Sequence, residues 1–417
     1  MTTVVRSYKT ELDLSNEQIT ACLKHAGCAR FAYNWGLAQC EDAYRTTKKF
    51  LTSKELHRRL NALKATDYPW MYDVSKCAAQ EALRDLEQAY KNAFRRCKLK
   101  KEGKWKGKVG FPVFKKRSKA IGSFTLTGSL HVFEKAIQLP RLGTLRLKEK
   151  DYLPPGVHVM SACVSERAGR WYVSVQVKEE QQKKVNTARA EIGVDLGIKT
   201  LATLSDGTTF DNPRALKQHL KPLRRAEREK SRRKKGGKNR AKSRQKIARL
   251  HARIAHIREN ATHHLTSSLC KNHALVAIET LAPSNMLKNR KLAQAVAESS
   301  FGEIKRQLLY KSEREQCHLV LVDRWYPSSK TCSSCGARRD DLTLGERTFV
   351  CLECGYVTDR DYNAAKNILL EAHRTTVSST GSHAYGHGSS GSHGSVSETI
   401  LDEVGTIQQV GMSYLSK

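Results

Sequence analysis

Apolar residues recur at helical spacing through the first hundred positions. In KCAAQEALRDLEQAYKNAFRR (76–96), Ala79, Leu83, Leu86, Tyr90 and Phe94 share one face of a helix. Upstream, Ser15-Asn16-Glu17-Gln18 has the form of a capping box and opens an earlier helix. Pro69 and its neighbours break the helical run between them. From about Trp105 to Val177 the period changes to two. VSERAGRWYVSVQV (164–177) predicts a hairpin turning at Ala168-Gly169, with Trp171, Val173, Val175 and Val177 on one face, and LPRLGTLRLK (139–148) is a further β segment. Thr3 to Lys9 also reads as a strand. The expectation is a small sheet or barrel that includes this N-terminal strand and carries the helices as an insertion.

The second half has an α/β pattern. EIGVDLGIKTLATLSDGTTF (191–210) predicts a β-meander with turns at Leu196-Gly197 and Asp206-Gly207. A basic stretch (221–260) follows, in which Ile247, Leu250, Ile254 and Ile257 form a helical stripe and Gly236-Gly237 marks a break. Next come a strand (HALVAIET), a helix (FGEIKRQLLYKSE), a strand (HLVLVD), two cysteine pairs and a last helix (DYNAAKNILLEAH). From about Arg374 the composition turns to Ser, Gly and His, which predicts a disordered tail over 374–417. His383, His387 and His393 in that tail are read as part of a solvated linker, with adventitious metal binding as the lesser alternative.

Composition changes the picture in one respect. The 417 residues suffice for two or three domains, and 74 Lys+Arg against 41 Asp+Glu leave a net charge of +33. A surface that basic repels itself unless a polyanion neutralises it, so nucleic acid is the expected partner. A membrane-surface protein or a ribosomal-type binder is the plainer alternative. No long apolar run occurs, so neither a signal peptide nor a membrane span is expected, and a cytoplasmic setting follows. Of the twelve cysteines, eight are scattered without a framework, which suits a reducing compartment.

The other four cysteines carry chemistry. Cys332-Ser-Ser-Cys335 and Cys351-Leu-Glu-Cys354 are two C-x-x-C pairs, with Gly336 and Gly355 each following the second cysteine. Four soft thiolates at this spacing close a tetrahedral Zn²⁺ site with no open position, hence a structural one. The alternative is four reduced core cysteines. A second set is acidic. Asp195 sits inside the apolar strand GVDLG, Glu279 ends VAIE, and Asp361 opens the last helix. A carboxylate in or at the end of an apolar strand is costly unless paired or metal-bound. Three that converged would bind Mg²⁺, with two ions flanking an in-line phosphodiester displacement. Taken singly, each acid reads as a helix cap or a turn residue.

These residues together resemble a family. GVDLGIKT, then IET, then a cysteine ribbon running into DRDYNAAKNI, is similar to TnpB (OrfB-type) proteins of bacterial insertion sequences, relatives of the type V CRISPR effectors. GCARFAYNWGLA, QEALRDLEQAYKNAF, VGFPVFKKR and LPRLGTLRL resemble landmarks of the same family, so the likeness spans about residues 1–372. The resemblance implies an α/β RuvC-like (RNase H fold) nuclease domain over 186–373 with an inserted zinc ribbon at about 328–357. Before it would stand a β-barrel wedge domain over 1–185 with a helical recognition insertion at about 15–100. It also implies a guide RNA transcribed from the transposon, and cleavage of target double-stranded DNA beside a short transposon-adjacent motif. Asp195, Glu279 and Asp361 match the three RuvC acids, with Asp359 as the nearest competitor of Asp361.

Two further groups are candidates for nucleic-acid contact. Arg232, Arg233, Lys234 and Lys235 suit phosphates of RNA or a heteroduplex, against the alternative of a solvated helix face. Lys76 and Gln80 lie one helical turn apart. Gln can read adenine and Lys can reach phosphate or guanine, and the resemblance places this helix near the adjacent motif. Two rival functions remain open at this point: an RNA-guided DNA-binding repressor without cleavage, and a transposase performing strand transfer.

Overall fold

A computed structural model describes residues 2–117, 121–154, 156–181, 189–343 and 345–380. The histidine-bearing tail beyond Thr380 lies outside the described residues, as do the tail's possible metal contacts. The chain divides into two compact units, Met1–Gln182 and Lys183–Lys417.

The first unit opens with strand β1 (Thr2–Asp13), followed by helices α1 (Asn16–Thr47), α2 (Ser53–Leu63) and α3 (Lys76–Lys101). Ser15 caps α1 through the expected box with Gln18, and Thr52 with Glu55 does the same for α2. Pro69–Asp73 forms a short 3₁₀ turn where the helical run was expected to break. Strands β2 (Ser123–Leu126), β3 (His131–Val132), β4 (Ala136–Leu139), β5 (Gly143–Leu147), β6 (Val159–Arg167) and β7 (Arg170–Gln181) follow. They form one antiparallel sheet with β1, in the order β2-β6-β7-β1-β5-β4-β3. The N-terminal strand therefore lies inside the sheet, between β7 and β5, and the helices are an excursion from it. Ala168 and Gly169 adopt φ of 57° and 79° at the β6–β7 turn. Left-handed residues at both centre positions match the right-handed twist of the strands they join.

One expectation for this unit needs correction. No strand forms between Trp105 and Arg117; Gly107, Gly110 and Pro112 interrupt any alternation there, and the next described strand is β2 at Ser123. On α3, Ala79, Leu83 and Leu86 are buried, but Phe94 is 48 % exposed. The stripe outruns the core and ends in a half-exposed ring cluster of Phe50, Tyr90, Phe94 and Phe111.

The second unit holds β8 (Ala190–Leu196), β9 (Thr200–Leu204), β10 (Thr209–Asp211), α4 (Ala215–Arg232), α5 (Lys238–Asn272), β11 (His273–Glu279), α6 (Pro283–Met286), α7 (Ala293–Ser299), α8 (Phe301–Glu315) and β12 (His318–Val322). A small hairpin, β13 (Thr348–Val350) and β14 (Val357–Asp359), leads into α9 (Arg360–Thr380). The main sheet has the order β10-β9-β8-β11-β12. β9 and β10 run as an antiparallel meander, whereas β8, β11 and β12 are parallel. One sheet face, with Ile192, Val194, Val276 and Ile278, packs with residues of α5 and α8. The other, with Leu275, Ala277 and Val322, packs on Ile368 and Ala372 of α9.

Helix α9 continues six residues past Arg374, to Thr380. Thr375 and Thr376 bond back to carbonyls of Glu371 and Ala372, so their hydroxyls stay within the helix instead of ending it. Among the described residues no helix is long and apolar enough to cross a membrane.

Candidate active site

Asp195 and Gly193 lie on the same face of β8, because side chains alternate along a strand. On the neighbouring strand, Ile278 pairs with Val194, so Glu279 ends β11 one step beyond, level with Asp195. Chain order runs outward from β8 through β9 and β10, then returns to the other side of β8 through β11. The carboxyl ends of β8 and β11 thus flank the point where the sheet's winding reverses, where open α/β sheets bind their ligands.

Helix α9 supplies the third acid. It crosses β8 at Gly193, where a Cβ atom would lie 2.1 Å from the carbonyl oxygen of Ala365. Only glycine lets helix and strand approach this closely. Asp361 stands four residues, one turn, before Ala365, and Asp195 stands two residues, one repeat, after Gly193. The contact therefore sets the apposition of the two acids. Asp359 has a different task. Its carboxylate accepts the backbone N–H groups of Asp361 and Tyr362, at 2.9 and 3.1 Å, and caps α9. Asp361 is left to face the sheet.

The electrostatics reflect this crowding. Asp195 is pushed up to about 7, first by burial and then by the charges of Asp361 and Glu279. Glu279 is also pushed up to about 7, by burial. Arg347 and Arg360 reach Asp361 at 3.5 and 3.4 Å. Beside Asp361 opens a cavity of about 340 Å³, lined by Lys199, Thr200, Thr203, Arg347, Asp359 and Tyr362 among others. Buried carboxyls that hold protons near neutrality are a donor set that gains from a cation. The carboxylate oxygens are not drawn as tightly together as the cysteines are. Among the described residues, the four cysteines are the only group of three or more such ligand residues gathered closely enough to hold a metal ion, with their ligand atoms all within 4.8 Å of one another.

In the cysteine cluster, Cys332 and Cys354 Sγ are 3.8 Å apart, and Cys335 and Cys351 Sγ are 3.5 Å apart. A tetrahedron with metal–sulfur bonds of about 2.3 Å has edges of about 3.8 Å. Each pair closes in the same way. The N–H groups of Gly336 and Gly355 bond to the carbonyls of Cys332 and Cys351, with the glycine φ at 79° and 72°. N–H groups of Cys354 and Glu353 pull the Cys351 thiol down to about 7, towards thiolate.

The basic hairpin divides its four candidates. Lys234 and Lys235 are exposed between α4 and α5, and Arg232 is exposed at the end of α4. Arg233 instead closes the turn, donating to Glu229 and to the carbonyl of Asn239. In the first unit, Lys76 and Gln80 lie on one face of the first turns of α3; Lys76 is exposed and Gln80 half-buried.

Known proteins can now be set against this geometry. Residues 173–290 match the family described as "Probable transposase", of the IS605 OrfB type, and residues 301–368 match "Cas12f1-like, TNB domain". A "Putative RNA-guided DNA endonuclease" of Streptomyces pristinaespiralis is 34% identical over 374 residues, covering 88% of this chain and 90% of that protein. InsQ of Escherichia coli (strain K12), which bears the same description, is 32% identical over 386 residues, covering 88% of this chain and 92% of InsQ. The chain belongs to the TnpB (OrfB-type) family. Its fold is similar to that of a solved type V effector. A Cas12f1-sgRNA-target DNA complex matches with a TM-score of 0.52 at 12% identity, covering 88% of this chain and 98% of that one. Residues 1–49 also match a profile described as "Helix-turn-helix domain", yet in this TnpB-family chain they form β1 and one long helix.

Several residues that serve the site were not singled out from sequence. Asn363 and Asn367 are both buried on α9. Asn363 accepts the N–H of Ser333 and donates to the carbonyl of Thr331, while Asn367 donates to the carbonyls of Ser328 and Thr331. They fasten the cysteine ribbon to the helix that carries Asp361. Their spacing of four in NAAKN was the available signal: two amides one turn apart on the helix that Asp361 opens. Arg347 gave no such signal, because it comes from the ribbon loop, far from Asp361 by element.

Proposed function

We propose that this chain is an RNA-guided DNA endonuclease of an insertion sequence. In this reading it binds a transposon-derived guide RNA and cleaves target double-stranded DNA beside a short transposon-adjacent motif, by Mg²⁺-dependent phosphodiester hydrolysis. The observation that carries the reading is the shared rung at the carboxyl edge of β8 and β11. It holds Asp195 and Glu279 level, with α9 laid on the same face and Asp361 in its first turn. The names borne by the relatives and the net charge of +33 support the same conclusion. Residues 1–185 serve as the wedge domain with its helical recognition insertion, and 186–373 as the RuvC-like nuclease domain.

Asp195, Glu279 and Asp361 are the residues that would hold Mg²⁺, as two ions. When bound, the metal supplies Lewis-acid stabilisation of the charge that builds on the scissile phosphate. The chain's own groups complete the site. Lys199, Thr200 and Arg347 line the cavity beside Asp361 and offer donors to phosphate oxygens. Arg347 and Arg360 balance Asp361 before substrate enters. The four ribbon cysteines would hold one structural Zn²⁺. Arg232, Lys234 and Lys235 meet nucleic-acid phosphates, with Arg233 shaping the turn that presents them. Lys76 and Gln80 read the adjacent motif.

The test is to purify the protein with its co-expressed RNA, sequence that RNA, and offer matching linear DNA with Mg²⁺. Cleavage is expected, and Asp195→Ala, Glu279→Ala or Asp361→Ala should each lower it by roughly a thousandfold or more while leaving RNA and target binding intact. Asp359→Ala, which removes a helix cap, should act more mildly. Binding without cleavage would favour a repressor, and joined products a transposase. Either result would overturn the reading.

A further inference from the structure

Glu279 pairs in register with Val322, the last residue of β12. The rung that carries Asp195 and Glu279 therefore continues to Val322, and the chain leaves the sheet at that carboxyl edge through Asp323-Arg324-Trp325-Tyr326. Trp325 is 78 % exposed, the largest exposure among the large apolar side chains of the described residues. The turn holding it is fixed. Asp323 Oδ1 accepts the Trp325 N–H at 2.8 Å, and the Asp323 carbonyl accepts the Tyr326 N–H at 3.1 Å. Val322 before it and Tyr326 after it both pack in the cluster between sheet and α9, which leaves the indole no inward place. The Arg324 guanidinium stacks over it, 4.7 Å from the ring centroid.

An indole can bury some 150–250 Å², so holding it in water on a fixed turn forgoes a large apolar gain unless something covers it. The occupant must have a flat π-face to lie on the ring and a negative charge to meet Arg324. In a chain of net charge +33, that is an unpaired nucleotide. We propose that Trp325, with Arg324, is a base-stacking platform that seats an unpaired nucleotide of the strand entering the carboxylate site. Arg324 takes a phosphate of the same strand. This inference rests on the nuclease reading above. The nucleotide belongs to the DNA strand to be cut, and the test sets it against the guide RNA.

2-Aminopurine, whose fluorescence is quenched by stacking, is placed one position at a time in the target DNA, and in a second series in the guide RNA. Each is mixed with the RNA-loaded protein without Mg²⁺, so that the signal reads binding whether or not the DNA is cut. Wild-type protein is expected to quench at one or two adjacent positions in the DNA series. Trp325→Ala should restore that fluorescence and Trp325→Phe should keep it quenched. Quenching confined to the RNA series and lost in Trp325→Ala would overturn the proposal, because the platform would then hold the guide and not the strand to be cut. In the cleavage assay, Trp325→Ala should be slower by about tenfold or more, the usual worth of one aromatic–base stack, with melting temperature and zinc content unchanged. If no position in either strand depends on Trp325, the platform is wrong even where wild-type protein cleaves. If wild-type protein fails to cleave while the Trp325-dependent quench is present, the nuclease reading fails and the platform stands.

Discussion

Gly193→Ala is the most exacting perturbation of this site, because it adds one methyl group and touches no candidate catalytic residue. The new Cβ would lie 2.1 Å from the Ala365 carbonyl oxygen and 2.9 Å from the Leu369 N and Cβ, where ordinary contact begins at 3.4 Å. All three opposing atoms belong to α9, two of them to its backbone, so no side-chain rotation relieves the clash. The helix must withdraw by about 3.4 − 2.1 = 1.3 Å. Overpacking of this kind costs about 1–3 kcal/mol of stability. The larger effect falls on chemistry. Asp361 is one turn from Ala365 and moves with it, and a misplacement of about 1 Å commonly costs on the order of a hundredfold in rate. The assay is single-turnover cleavage by RNA-loaded protein, run well below the melting transition, alongside a thermal melt and target binding. The expected result is a fall in cleavage far larger than the loss of stability explains, with binding retained. Wild-type cleavage by Gly193→Ala would refute the claim that this close approach sets the acids.

The remaining predictions address other parts of the chain. About one Zn²⁺ per chain is expected at the ribbon, and Cys335→Ser should lower both zinc content and melting temperature; full zinc content in that variant would count against the site. Replacing Arg232, Lys234 and Lys235 by Ala should lower the salt slope of nucleic-acid binding by up to about three units, one per phosphate, whereas an unchanged slope would mark a solvated face. Arg233 is left out of that set because it closes the turn. Lys311 is buried among Thr266, Ser267 and the His263 carbonyl, and burial lowers its ammonium from 10.5 to about 8. Between those values the unfolded chain binds more protons than the folded one, so stability rises with pH across that window. A cost of roughly 3 kcal/mol, fully present below the lower value, is relieved there. Lys311→Met should lack that rise, and parallel denaturant curves for the two chains across the window would contradict it.

Much of the fold was legible because its signals are local. The Ser15–Gln18 box, the Ala168-Gly169 turn and the Gly236-Gly237 break each depend on residues within a few positions of one another, and each lies where the pattern put it. The expected β character of 105–117 failed for a related reason. Strand alternation there was inferred from the region around it, while its own glycines, proline and lysines carry no period. At the site, the residues alone could name three acids, and the preference for Asp361 over Asp359 came from the family resemblance. Both stand at the start of one helix, and capping residue types are interchangeable with ligands at that position. The hydrogen bonds supply a physical reason for that preference, since Asp359 spends its carboxylate on two backbone N–H groups. Arg347 and Trp325 were out of reach, because their relevance depends on which strand end or helix start lies beside them.

Helix α9 is where these elements meet, and that makes the ribbon more than a separate structural module. Its cysteine loop is tied through Ser328, Thr331 and Ser333 to Asn363 and Asn367. Its hairpin places Arg347 against Asp361 and bonds the Arg347 carbonyl to the N–H of Arg360. The same helix is pressed onto β8 at Gly193. A lesion in the ribbon and a methyl at Gly193 therefore act on one coordinate, the position of α9, from opposite sides. Removing Asp195 acts on charge alone. The two kinds of variant should separate cleanly: Cys335→Ser and Gly193→Ala lose cleavage together with thermal stability, whereas Asp195→Ala, which removes a carboxyl that burial already disfavours as an anion, loses cleavage while melting at or above the wild-type temperature.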